Sequence, residues 1–349
     1  MVIRSLPQKN IEALYDICAI GNAIVDVLAS CEDTFLEDEN IAKGGMTLID
    51  EARAKTLYGK IRNNVEMSGG SAANTAAGIA SLGGHPAYIG KVKNDSLGRI
   101  YRQNLREVGV HFDSAPLQNG PATAQCIILV TPDAQRSMNT YLGACTELTP
   151  ADIDVQIVAN AKVTYLEGYL YDKPSAKEAF HIAAHIVHEA DRHLALSLSD
   201  SFCVDRHRDD FKRLICDEVD FLLANEKELC SLYETDTFED ALAQAAEQCS
   251  VTVGTRSEKG AVIMAEGTRH SISAYPVKKV VDTTGAGDLF AAGFLYGITH
   301  DCDFAESGRL GALAAGEVIS HYGPRPQQEL KELTMKSQEL NRDSLTALA

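Results

Sequence analysis

The chain has 349 residues, with 32 Lys and Arg against 49 Asp and Glu, a formal net charge of −17. Apolar residues make up 45% and charged residues 23%, an ordinary globular composition that excludes a disordered chain. The acidic balance argues against an extended surface for nucleic acid or anionic membrane, although it leaves room for one buried phosphate site built from local donors.

Taken in chain order, short apolar runs alternate with longer helical patterns. DICAIG at 16–21 reads as a first strand, and GNAIVDVL at 21–28 as its exit. Asn22 and Asp26 there suit a vicinal diol, because a carboxylate accepts from two hydroxyls while an amide both donates and accepts. An ordinary turn carboxylate is the equal alternative. The acidic run CEDTFLEDEN at 31–40 reads as a solvated face. SGGSAANTAAGIASLGG at 68–84 follows, in which Gly69 and Gly70 precede a helix of small residues closed by Gly83 and Gly84. Such a helix lets backbone approach a ligand at its start and places Asn74 one turn in; close helix-to-sheet packing explains the same composition.

AYIGKV at 87–92 is the next strand, and Asp95 or Ser96 caps a helix ending at Gly109. Cys126–Val130 and Ser137–Leu142 flank the turn-rich TPDAQR with no helix between them, so they read as an antiparallel hairpin. Arg136, at that hairpin, reaches either a phosphate or an acid. Thr149-Pro150 opens a helix, KVTYLEG at 162–168 is a strand, and Pro174 starts a helix through Ala190. HLALSLS at 193–199 and DFLLA at 220–224 are further strands. The alternation predicts an α/β fold with a mostly parallel sheet covered by helices. The pieces that break the rhythm, 27–48 and 111–145, are assigned to a small β lid, and 1–26, 49–110 and 146–349 to the core.

LLANEKEL at 222–229 places Asn225, Glu226 and Glu228 past a strand's carboxyl end, where ligands bind in open α/β sheets and where hard oxygens suit Mg²⁺. A helix N-cap followed by first-turn acids fits as well. The strongest signal is VVDTTGAGDLFAAGFLYG at 280–297, a strand end, glycine-rich turn and amphipathic helix. Gly285, Ala286 and Gly287 let the backbone curl so that successive N–H groups point outward, an anion cradle. Asp288 would repel an anion there unless it takes a proton from the group attacking a phosphate. Its alternative is a helix-terminal carboxylate worth about 0.3 to 1 kcal/mol. GGHPAYIGKV lacks P-loop spacing, and no GxGxxG follows the first strand.

The nine cysteines form no CxxC pair, which argues against a disulfide or zinc framework. The first sixteen residues lack an apolar leader and no run of ~18 apolar residues occurs, so a cytoplasmic protein is expected.

The order GGSAANT, NEKE, TVGTRSEKG and DTTGAGD resembles the ribokinase-like, PfkB-type carbohydrate and nucleoside kinases over residues 17 to about 325. GNAIVD, RSMNTYLGA at 136–144, YLEGYL at 165–170 and LSLSDSF at 196–202 are most similar to the adenosine-kinase branch. The resemblance implies a three-layer sandwich plus a β lid, and transfer of the ATP γ-phosphoryl group to a primary hydroxyl, the 5′-OH of adenosine. It implies Asp288 as the catalytic base and Gly285, Ala286 and Gly287 as the anion hole. Asn225, Thr252, Gly254, Gly260 and Thr283 fall on the nucleotide side, and Glu228 on Mg²⁺ through water. Asp282 and Thr284 match a K⁺ site of some members. Asn22, Asp26, Gly69, Gly70 and Asn74 would hold the ribose, with Met138, Thr140 and Phe202, beside Met46 and Leu48, forming an apolar wall suited to a purine. The alternatives are a sugar kinase of the same family and a non-catalytic nucleoside-binding protein. The implied partners are small molecules, without nucleic acid or membrane, for a monomer or a lid-mediated homodimer.

Overall fold

The computed structural model describes residues 13–133 and 135–337; most of the segment read for a leader lies outside them. Among the described residues thirteen strands form two sheets. In chain order they begin with β1 (Tyr15–Ile20), β2 (Ile24–Ser30), β3 (Met46–Leu48), β4 (Val65–Gly69), β5 (Pro86–Ile89), β6 (Ala124–Val130) and β7 (Arg136–Tyr141). They continue with β8 (Ala161–Glu167), β9 (His193–Ser197), β10 (Phe221–Asn225), β11 (Val251–Thr255), β12 (Ala261–Ala265) and β13 (Thr268–Ile272).

The larger sheet runs β13-β12-β11-β10-β9-β8-β1-β5. It is parallel from β5 to β11 and antiparallel across β12 and β13. Its parallel strands are buried on both faces, as continuous apolar runs require, whereas the edge strand β13 is largely exposed. Ile17 and Ala19 of β1 pack in a core with the helices Ser71–Ser81, Ala286–Thr299 and Phe304–Val318. Cys18 and Ile20, pointing the other way, join the helices Pro174–Glu189, Ser201–Asp217, Glu226–Tyr233 and Phe238–Gln248. The result is helix, sheet and helix in three layers. No helix among the described residues is long and apolar enough to cross a membrane.

Strand β1 lies between β5, which follows it, and β8, which comes much later. The strand order therefore reverses at β1, and a crevice opens outside its carboxyl end and that of β8. The helix Ser71–Ser81 borders it. Its small residues have a packing reason: a Cβ at Gly78 would fall 2.6 Å from Ala292 Cβ, on the helix that carries Asp288.

The second sheet runs β3-β7-β6-β2-β4. Strands β6 and β7 form the expected hairpin, pairing Ile128 with Met138 and Cys126 with Thr140. Its boundaries differ from those expected. Strand β4, assigned to the core, pairs antiparallel with β2, and β2 itself starts at Ile24. VEMSG alternates apolar and polar residues over only four positions before its glycine, too short a run to mark a strand until its partner is seen. Conversely, His111 and Leu117, assigned to the lid, bridge to Ala87 and Lys93 beside the larger sheet. Thr149-Pro150 also opens less than expected. Thr149 and Asp152 close a capping box around the single turn Pro150–Asp152, and the helix Val155–Ala159 then starts afresh from Asp154.

Candidate active site

The crevice is lined by loops that long-range hydrogen bonds tie together. Where β1 ends, the Asn22 backbone N–H and side-chain amide donate to Glu167 Oε1 at 3.3 and 2.9 Å. Ala72 N–H, at the start of the helix Ser71–Ser81, donates to Glu167 Oε2 at 2.8 Å. Glu167 thus joins β1, β8 and that helix with one buried carboxylate. Burial pushes its carboxyl up to about 7 against those three donors, while the charge on Asp288 pushes the same way. The close fit requires glycine nearby: a Cβ at Gly21 would fall 2.4 Å from Glu167 Oε2. Gly70, at φ +95°, turns its missing side chain towards Asn22 O, 2.1 Å from where a Cβ would sit.

Asp288 stands in the first turn of the helix Ala286–Thr299, entered through Gly285 at φ +80°. Its carboxylate accepts from Ser71 Oγ at 2.6 Å and from Asn74 Nδ2 at 2.8 Å. Thr75 Oγ1 donates to its carbonyl at 3.1 Å. The acid is therefore aimed at the helix Ser71–Ser81 and the crevice. Burial raises its carboxyl, and Ser71, Asn74 and the Arg325 charge oppose that rise. Asn74 Oδ1 is buried with no partner among the described residues, an unused acceptor on the amide that holds Asp288.

Of the expected cradle, Ala286 N–H is spent on Thr283 O at 3.2 Å. The Gly287 and Asp288 N–H groups have no acceptor among the described residues. Around a Cβ built at Gly287 there is open space. Gly285 serves the turn and packs on Pro324, 2.8 Å from its would-be Cβ. The donors left for an anion are thus those of Gly287 and Asp288.

Asp26, on β2, shares the crevice. Its carboxylate packs on Gly69, where a Cβ would fall 2.3 Å from Oδ2. Burial pushes its carboxyl up to about 7, with Arg325 and Arg136 opposing and Asp288 adding to the rise. The residues Asn22, Asp26, Gly69, Gly70, Asn74 and Asp288 are brought together as the sequence implied. On the second sheet, Thr140 faces the same side as Asp26, through the register Asp26, Cys126, Thr140. A neighbouring row on that face is wholly apolar: Val65, Leu28, Ile128, Met138 and Met46. Phe202 stands apart, 73% exposed in the first turn of its helix.

Arg136 settles on an acid. Its Nη1 lies 2.5 Å from Asp282 Oδ2, with the two side chains 11% and 8% exposed. Asp282 also accepts from Thr284 N–H and Oγ1 at 3.1 and 2.7 Å and from Gly323 N–H at 2.9 Å. A protein-borne cation stands where the sequence suggested K⁺, and the Asp282 carboxylate and Thr284 hydroxyl are committed to other groups. The pair does not fit a monovalent-ion site in this arrangement.

The nucleotide-side candidates behave differently. Asn225 caps the helix Glu226–Tyr233 in a reciprocal box: Glu228 N–H donates to Asn225 Oδ1 at 3.0 Å and Asn225 N–H to Glu228 Oε2 at 2.9 Å. Burial pushes the Glu228 carboxyl up to about 7, opposed by the Asn225 N–H and reinforced by the charges on Asp200 and Asp288. Among the described residues no three acids, histidines or cysteines cluster as a ready metal site. Thr252 is wholly buried inside β11 with no partner for its hydroxyl, and a Cβ at Gly254 would strike Phe238. Both belong to sheet packing, a correction to their expected place at the nucleotide. Gly260, at φ +80°, closes the turn between β11 and β12, and Thr283 is exposed beside the cradle.

Three participants escaped the sequence reading: Glu167, Ser71 and Arg325. An acid closing the otherwise apolar KVTYLEG was the available signal for Glu167. Arg325, in GPRP, offered none.

The chain matches the pfkB family carbohydrate kinase model over residues 39–330 and belongs to that family. It is a sugar or nucleoside kinase, a phosphotransferase acting on a hydroxyl, with the ribokinase-like α/β fold. It is 29% identical over 332 residues to the adenosine kinase of Saccharomyces cerevisiae, covering 87% of this chain and 95% of that protein. Among solved structures, a probable sugar kinase from Rhizobium etli is 50% identical with a TM-score of 0.86, covering 93% of this chain and 99% of the other. The adenosine kinase from Sinorhizobium meliloti gives the same identity and TM-score, over 93% of this chain and all of its own.

Proposed function

We propose that the protein transfers the γ-phosphoryl group of ATP to the 5′-OH of adenosine. The observation that carries the chemistry is Asp288, held by Ser71 and Asn74 beside the unspent Gly287 and Asp288 N–H groups. An acid so placed accepts the hydroxyl proton, while the amides stabilise charge on the moving phosphoryl. Asn22, fixed by Glu167, and Asp26, packed on Gly69, suit the two ribose hydroxyls. The apolar row through Met138 and Ile128, on the face that bears Asp26, favours a purine over a bare sugar. The likeness to the adenosine kinases of Saccharomyces cerevisiae and Sinorhizobium meliloti supports the same acceptor.

Mg²⁺ belongs to the same reading: Glu228, whose oxygens accept from the Asn225 backbone and side-chain N–H groups, would reach the ion only through its waters. When bound, the ion neutralises phosphate charge. The two-sheet division into core and lid, closing over the acceptor to exclude water, is part of the same reading.

An acceptor panel with ATP and Mg²⁺ tests it. Adenosine is expected to be phosphorylated strongly, with ribose and fructose inert. Turnover of a free sugar with none of adenosine overturns the acceptor in favour of a sugar kinase, the activity given for the similar Rhizobium etli protein. No ATP consumption with any acceptor would point to the binding protein.

A further inference from the structure

A strap of chain follows the helix Phe304–Val318 and runs along the crevice. Glu317 anchors it: Oε1 accepts from Gln327 N–H at 3.0 Å and Gln328 N–H at 3.1 Å, and His321 Nε2 lies 3.1 Å from both oxygens. Gly323 N–H donates to Asp282, and Pro324 packs on Gly285. These contacts deliver Arg325 between the two segments that shape the site. Its Nη1 donates to Ala73 O at 3.0 Å, and Nη2 to Ser68 O at 2.8 Å and Ser68 Oγ at 3.3 Å. Its Nε is buried with no acceptor among the described residues.

This bonding is unusual for a guanidinium whose Nε is buried. The groups that accept from it are neutral, so no ion pair among the described residues offsets the cost of removing the charge from water. Nearby negative charge must do so. The segment bracketed by Ser68 and Ala73 touches both carboxylates of the crevice: Gly69 packs on Asp26, and Ser71 and Asn74 hold Asp288.

We propose that Arg325 is a positioning residue, a counter-ion that fixes the Ser68–Ala73 segment and favours the ionised form of Asp288 beside Asp26. The inference rests on the reading of Asp288 as the base. Two neighbouring carboxylates resist ionising together, and a base must be ionised before it can accept a proton. Arg325 faces Asp26 and Asp288 together with the buried phenols Tyr88 and Tyr101, while Tyr165 and Tyr169 also face Asp288 and the Cys126 thiol faces Asp26. Arg136 faces Asp26 from β7, and Glu167 and Glu228 face Asp288 from β8 and the helix Glu226–Tyr233. The Arg325 charge opposes the rise in both acids.

The test compares the full-length protein with Arg325→Met and Arg325→Lys. The readouts are the pH dependence of kcat with ATP, Mg²⁺ and adenosine, and the ¹³C NMR titration of the Asp288 carboxyl, assigned by its absence in Asp288→Asn. In Arg325→Met the acid limb of kcat and the carboxyl titration are expected to move up by about one pH unit, the size of a lost neighbouring charge. Arg325→Lys should restore most of that shift, because it keeps the charge while losing the forked hydrogen bonds. Where methionine does not fold, Arg325→Gln keeps an amide towards Ser68 and Ala73 and carries the same expectation. Unmoved titration in a folded neutral variant overturns the counter-ion role and leaves Arg325 a structural clamp. Normal turnover by Asp288→Asn sinks the base instead, an outcome that the Arg325 variants do not produce. The NMR readout stands whatever the acceptor.

Discussion

The acceptor side and the nucleotide side of the crevice are held by different kinds of contact. At the acceptor side, Asn22 meets Glu167 across 145 residues of sequence, Ser71 meets Asp288 across 217, and Arg325 meets Ser68 across 257. At the nucleotide side, Asn225 and Glu228 cap each other three residues apart, and Arg256 N–H bonds Gly260 O within one turn. The first geometry exists only when the whole fold exists, whereas the second assembles locally. Substitutions on the acceptor side should therefore disturb chemistry and global stability together. On the nucleotide side the damage should stay small and near.

The most severe break in that comparison is Asp288→Asn, which is expected to keep the fold and lose about 10²-fold or more in kcat. Steady-state kinetics beside circular dichroism measures it, and near-normal turnover removes Asp288 from the reaction. Next comes Glu167→Ala, which strips acceptors from three N–H groups at once. A loss of about 3 kcal/mol or more is expected in urea denaturation, with a raised acceptor KM. A loss confined to a few tenths would mean that water replaces the carboxylate and that the long-range ties matter little.

Asp26→Asn sharpens the contrast through its pH dependence. The folded protein holds the Asp26 proton up to about 7, so it grips that proton more tightly than the unfolded chain does. The resulting stabilisation is complete below the unfolded value of ~4 and is lost as pH rises through 7. The asparagine variant should therefore melt higher than the parent at pH 8, by up to a few kcal/mol, and alike near pH 4. Its acceptor KM should rise about tenfold or more, the worth of a charged hydrogen bond. Equal melting at pH 8 would show that the ionised acid costs nothing where it sits. The smallest effect is expected from Asn225→Ala, about 1 kcal/mol for a lost cap in the same denaturation assay. A much larger loss would mean that the capping box supports more than its own turn.

The same contrast explains what the sequence made legible. Strands β1, β5, β8, β9 and β10 announce themselves as short apolar runs, since both their faces are buried. Strand β3 has three residues and β4 only four alternating ones before Gly69, runs too short to stand out without their partners. The run at 31–40, read as a solvated face, folds in part as a short helix, Asp33–Asp38, that buries Leu36. Asp288 and its glycines were visible because a turn into a helix leaves a local signature. Asn22, Asp26 and Asn74 stood out as polar residues at element ends. Glu167 and Arg325 act through partners that only tertiary folding supplies, and Thr252 was drawn to the nucleotide by motif position although its strand turns it inward.

The contact between the two helices flanking the base has an evolutionary consequence. Gly78 lies against Ala292 and Leu289 with no room for one more carbon, so the spacing between the proton acceptor and its amide and hydroxyl partners tolerates almost no drift. The apolar row of the five-stranded sheet, which ends in the exposed Met46 and Val65, is under no such restraint. Lineages exchanging one recipient molecule for another would accumulate their changes on that sheet while the reacting centre stayed frozen.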